Sequence, residues 1–85
     1  MRLYAVKDIK AGKFDRPFPM INDQVCMRSF RIMCNNKDTE FGQYPEDYDL
    51  YLVGELNEDT GVLTSNVQFI INGLGLVGGN ESGNI

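Results

Sequence analysis

Histidine and tryptophan are both absent from the 85 residues. Without histidine, no Ser-His or Cys-His nucleophile pair can be assembled, and no side chain titrates near neutrality unless it is strongly perturbed. Cysteine is scarce, with only Cys26 and Cys34 present. Zinc centres built from Cys and His need three or four ligands, so that class is excluded. On one helix, at ~1.5 Å rise per residue, the two thiols stand about 12 Å apart, beyond disulfide reach. They are expected to be small core hydrophobes of a protein held in a reducing compartment. Long apolar runs are missing too: none exceeds four residues, the length of Leu50 to Val53, against the roughly 20 a membrane span needs. The opening Met1-Arg2-Leu3-Tyr4-Ala5-Val6-Lys7-Asp8 turns to charge before a signal-peptide core can form. The expectation is a protein that is neither secreted nor in the membrane. A chain this short supports one small domain, hiding about 60–65% of the surface its unfolded form exposes.

A further absence organises the rest: no basic residue follows Lys37. Arg2, Lys7, Lys10, Lys13, Arg16, Arg28, Arg31 and Lys37 share the first 37 residues with only Asp8, Asp15 and Asp23, for a charge of +5. Residues 38–85 hold nine acids and no base, for −9, which gives the net charge of −4. Such polarity suits an anion-binding face with an acidic appendage, or self-complementary packing within one chain or between subunits.

Arg2 to Ile9 is apolar and β-branched and reads as a strand. Gly12 breaks it, and Pro17 and Pro19 keep the following stretch extended, so residues 10–20 read as a loop. Asn22 is a good helix N-cap, Asp23 suits the positive end of the dipole, and Ile21 is placed to staple against Cys26. The spacing predicts a helix from Asp23 to about Cys34. It is expected to be largely buried, with Gln24, Arg28, Arg31 and Asn35 as one polar stripe and a left-handed stop at Asn35-Asn36. Lys37 to Asp47 reads as a polar loop. Tyr48 to Leu56 alternates as a strand, with Tyr48, Leu50, Leu52 and Leu56 on one side and Asp49, Tyr51, Val53 and Glu55 on the other. Asn57 to Gly61 is a hairpin connection, and Val62 to Ser65 returns antiparallel. Val67 to Ile71 is open to either a short strand or a helical turn. The fold class is therefore α+β: one helix on a mainly antiparallel sheet, in the order β-α-β-β with a further short strand admitted. The domain is expected to span residues 1–72, with 73–85 a mobile glycine-rich tail.

Gly73-Leu74-Gly75-Leu76-Val77-Gly78 spells G-x-G-x-x-G. The dinucleotide fingerprint needs a helix opening at the glycines and an acid about 20 residues on, and this stretch is expected to supply neither. Among Glu46, Asp47, Asp49, Glu58 and Asp59 the calcium-loop pattern fails, because its glycine and closing glutamate are missing. These acids are read as solvated, and no enzyme, metal or cofactor is expected. The basic cluster carries more chemistry. Lys7, Lys10, Lys13 and Arg16 recur at three-residue steps, interleaved with Phe14 and Phe18, and Arg28 and Arg31 lie one helical turn apart. Cations that neutralise phosphates beside aromatics that stack on bases are the ingredients of single-strand binding. These eight residues are the candidate nucleic-acid site, converging as one ridge.

The run Tyr4-Ala5-Val6-Lys7-Asp8-Ile9-Lys10-Ala11-Gly12-Lys13-Phe14 with Pro17-Phe18 resembles the opening of a small nonstructural protein of gokushoviruses, single-stranded DNA phages of the microvirus group. Asn22-Asp23, Tyr44-Pro45-Glu46-Asp47-Tyr48, Leu50-Tyr51-Leu52-Val53-Gly54-Glu55 and Asp59-Thr60-Gly61 extend the resemblance over residues 1–72. It implies the counterpart of the microvirus protein that switches replication to single-stranded genome synthesis and helps packaging, acting on DNA in the bacterial host cytoplasm. It brings no catalytic residues. The expected partners are single-stranded DNA, phage replication or capsid proteins, and further copies of the chain. The rival is a non-enzymatic adaptor whose acidic half docks a replication or capsid protein without touching DNA.

Overall fold

The computed structural model describes residues 1–78. Strand β1 (Arg2–Asp8) pairs antiparallel with β4 (Tyr48–Leu56), which pairs antiparallel with β5 (Leu63–Asn72). Two short strands, β2 (Lys13–Phe14) and β3 (Phe18–Met20), share the outer edge of β1, so the sheet runs β2-β1-β4-β5 with β3 beside β1. Helix α1 (Asp23–Cys34) lies on one face. This is the expected α+β domain with an antiparallel sheet, and two more strands precede the helix than expected.

The stretch read as a loop over residues 10–20 is thus half strand. Lys13 and Phe14 pair with Asp8 and Lys7, while Phe18, Pro19 and Met20 pair with Tyr4, Leu3 and Arg2. A proline donates no hydrogen bond, so Pro19 is tolerated because β3 is an edge strand. Lys37 to Asp47 is not a plain loop either. Thr39 caps the short helix α2 (Glu40–Gln43), its hydroxyl accepting from the Gly42 N–H at 3.1 Å, and Pro45–Asp47 forms a 3-10 turn. That turn of helix carries Phe41 edge-on to Phe30 (5.9 Å) and to Tyr48 (4.7 Å).

Helix α1 begins where expected: the Asn22 side chain accepts from the Val25 N–H at 2.9 Å. Two local expectations fail. Ile21 is 78% exposed and staples nothing, and Asn35 has φ −100°, ending the helix by donating its side-chain amide to the Arg31 carbonyl at 2.8 Å. The helix is also less buried than its composition suggested. Only Cys26, Phe30 and Cys34, a stripe at four-residue steps, are fully buried, with Met27 packed against the core; Ile32 is 67% exposed beside Arg28 and Arg31, and Met33 borders the space between α1 and β3. A small sheet offers one helix one seam, and residues off that seam stay in water whatever their polarity.

Tyr4, Val6, Leu50 and Leu52 meet that stripe from the sheet. The Tyr4 ring is fully buried, yet its hydroxyl donates to Asp23 Oδ1 at 2.6 Å at the start of α1, and Arg2 bonds both Tyr4 and Asp23. The Tyr4 hydroxyl foremost, with Arg2, holds the Asp23 carboxyl below the usual carboxylate range against opposing desolvation.

Leu63 to Asn72 resolves as one strand. β5 takes up both the expected return strand and the open segment after it, with register irregularities between Leu50 and Tyr51 and between Leu52 and Gly54. The turn before it closes as expected, with Gly61 at φ 78°. The domain does not stop at residue 72. Gly73–Leu76 forms a 3-10 turn whose Leu76 is 3% exposed in the core, and Asn35 donates to its carbonyl at 3.0 Å. A β-carbon on Gly73 would meet the Pro45 carbonyl oxygen and lie 3.0 Å from the Cys34 sulfur, so this glycine serves close packing. The expected mobility of residues 79–85 lies outside the described residues.

Three outcomes follow. Asp23 has its folded pKa depressed, so its stabilising contribution is present above the unfolded value of about 4 and is lost as pH falls through the folded one. Acid denaturation should therefore be steeper below about pH 4 for the wild type than for Asp23→Asn, measured by circular dichroism. Leu76→Ala should cost about 2–4 kcal/mol in urea unfolding, where a tail residue would cost almost nothing. Burial pushes both thiols up to about 11, with Asp23 adding to the effect at Cys26. Neither should react with a thiol reagent at pH 8 until denaturant unfolds the chain.

Candidate nucleic-acid interface

Side chains alternate along a strand, so the residues between the core positions face away from α1. On β1 and β4 these include Ala5, Lys7 and Tyr51, and the register sets Lys7 beside Phe14, Ala5 beside Tyr51, and Tyr51 beside Phe69 of β5. The rings form a row. Phe14 meets Tyr51 edge-on at 4.9 Å, and Tyr51 meets Phe69 edge-on at 5.7 Å. Between Phe14 and Tyr51 the strand carries only Ala5, whose methyl group lets the two rings approach over it. Ala5 is 2% exposed although no helix covers this face. Phe14 and Phe69 remain 44% and 56% exposed. The Lys7 ammonium lies 5.7 Å from the centre of the Phe14 ring, a cation–π distance.

The expected ridge is divided by this arrangement. Of the eight candidate residues, Lys7 and Phe14 lie on the open face. Lys10 is exposed in the turn beyond β1, where Asp8 accepts from the Gly12 and Ala11 N–H groups. Lys13 pairs with Asp8 and shares a polar recess with Glu40 and Tyr48 on the helix side. Arg16 and Phe18 are on the helix side too, Phe18 packed against Tyr4 at 6.4 Å as part of the core margin. It is not free to stack on a base. Arg28 and Arg31 are exposed on the helix, with the whole sheet between them and the ring row. The three-residue spacing failed as a guide because it crosses two strands and a turn, and each change of element re-aims the side chain.

Two members of the row, Tyr51 and Phe69, come from the acidic half and were missed. Alternation already set Tyr51 opposite the Leu50 face, which was the available signal for it. Phe69 had none, since its segment could be read as strand or helical turn. Asp49 lies across from Lys7, but its carboxylate accepts from the Asn72 amide at 2.8 Å and forms no ion pair. Among the described residues only Arg2 is ion-paired, to Asp23 at 2.9 Å and Glu55 at 3.4 Å.

Elsewhere a cavity of about 340 Å³ lies between β3 and α1, lined by apolar groups such as Met20, Phe30 and Met33 with Asp15 and Arg16 beside them. It holds no converging set of polar groups that would orient a substrate. Among the described residues no helix is long and apolar enough to cross a membrane, and no three metal-ligating side chains cluster.

No curated protein and no solved structure matches the chain. The family described as Phage ORF5 protein matches residues 1–76, the same stretch that the core encloses from β1 to Leu76. By that match over nearly its whole length, the chain belongs to the Phage ORF5 protein family.

Proposed function

We propose that this phage protein binds single-stranded DNA on the open face of its sheet. The reading rests on one observation: three rings in contact, Phe14, Tyr51 and Phe69, lie in a row across the face that no helix covers, with Lys7 at one end. Exposed rings on an antiparallel sheet accept unstacked bases without demanding a sequence, because every base has a π-face. Lys7 and Lys10 take adjacent phosphates. The bound strand is the phage genome during its synthesis and packaging in the host cytoplasm, with the protein acting as the gokushovirus counterpart of the microvirus replication-switch protein. The adaptor reading draws on the acidic end of the β4–β5 hairpin, where Glu58 and Asp59 are exposed and form no ion pair among the described residues.

The test is an anisotropy titration of a labelled oligothymidylate at low salt. With two or three phosphate contacts, the log–log salt slope should be no steeper than about −2, at ~0.7 per contact. Phe69→Ala should cost about 1–3 kcal/mol, the worth of one stacked base. At about 0.15 M salt, where charges are screened beyond about 8 Å, reversing Arg28 and Arg31 together to Glu should leave affinity within about twofold, since they stand on the other side of the sheet. The opposite pattern, with the arginine reversal decisive and the phenylalanine silent, would move the interface to the helix. No binding by folded protein would falsify the DNA reading and favour the acidic adaptor.

A further inference from the structure

The two outer edges of the sheet are unlike each other. On the β1 side the edge is occupied by β2 and β3, the latter carrying Pro19. On the other side β5 pairs with β4 alone, and Leu63 to Phe69 are exposed without interruption. Its ten residues, Leu63–Asn72, include no charged residue and no proline, in a chain that is 24% charged. Long edge strands are ordinarily blunted by lysine, proline or a covering element, because their free N–H and C=O groups pair with any strand that approaches. β5 has none of those three devices. Its protection is limited to register irregularities, which flank Gln68 and Phe69 and leave that pair in the ladder with β4.

We propose that β5 pairs antiparallel with β5 of a second copy about a two-fold axis. Self-pairing fits this strand in particular. Centred on Gln68, it sets Val67 of each copy against Phe69 of the other, so two side chains that are 60% and 56% exposed cover one another. Aromatic against β-branched is a favourable cross-strand pair, and Gln68 meets Gln68 with amide donor to amide acceptor. Each chain carries −4, which opposes association in general, yet no charge lies on either strand to stand opposite its like. Because Phe69 ends the ring row at this edge, the two rows become one band across a continuous sheet. The inference does not need the DNA reading, and its test contains no DNA.

Light scattering on the full chain should show the mass rising from 9.6 kDa toward about 19 kDa with concentration, since one strand pair is a small interface. The association should persist in about 1 M salt, where a dimer held by opposite charges would dissociate. Val67→Lys should remain monomeric with an unchanged circular dichroism spectrum. Should that variant not fold, Gln68→Cys supplies the answer: it should oxidise readily to a disulfide dimer, while Thr60→Cys in the hairpin turn should not. A mass fixed at 9.6 kDa across the range, dissociation by salt, or a folded Val67→Lys dimer each overturns the proposal. A monomer that still binds oligothymidylate would sink this inference alone.

Discussion

One hydroxyl ties the two layers together. Tyr4 sits in the middle of the core with its ring excluded from water, so its O–H must find an acceptor there or carry an unmet desolvation cost. Asp23, the first residue of α1, supplies that acceptor, and Arg2 completes the set from the same strand. The helix start is thereby fixed over β1, and the stripe Cys26-Phe30-Cys34 follows along Leu50 and Leu52. Once α1 is committed to one side of the sheet, the other side is open by default. The distinction between a covered face and a bare one, on which the functional reading depends, begins at that contact.

Period and capping read well from the residues because they are local. Asn22 and Asp23 announced the helix, and the alternation from Tyr48 onward separated Leu50 and Leu52 from Tyr51 without any knowledge of the partner strands. What resisted reading was non-local. Lys13-Phe14 and Phe18-Pro19-Met20 are strands only because β1 lies alongside to pair with them, and two- or three-residue strands carry no period of their own. The helix was expected to be largely buried, yet the single seam between one helix and a narrow sheet left Ile32 in water. Gly73 and Gly75 suggested mobility by composition, whereas Gly73 is a contact point between the last turn, Pro45 and Cys34.

The candidate site shows the same division. The abundance of cations in the first half was legible, and apart from Arg2 they do remain free of ion pairs among the described residues. Their convergence was not legible, because direction depends on which strand face each residue occupies, and the chain changes element between Lys7 and Arg16. The face that gathers the chemistry draws on both halves: Lys7 and Phe14 from the basic one, Tyr51 and Phe69 from the acidic one. A division by charge along the chain therefore does not become a division between faces in space.

The docking of Leu76 has a kinetic side. β1 has its long partner only in β4, and the pocket walled by Cys34 and Leu50 is sealed by a side chain near the far end of the described residues. During synthesis the first strand and the helix leave the ribosome with nothing to complete them, so native structure waits for a contact spanning almost the whole domain. Such distant closure slows folding and lengthens the interval in which apolar strands are uncovered. A chain cut short before that leucine would be left with its core open, an easy mark for host proteases.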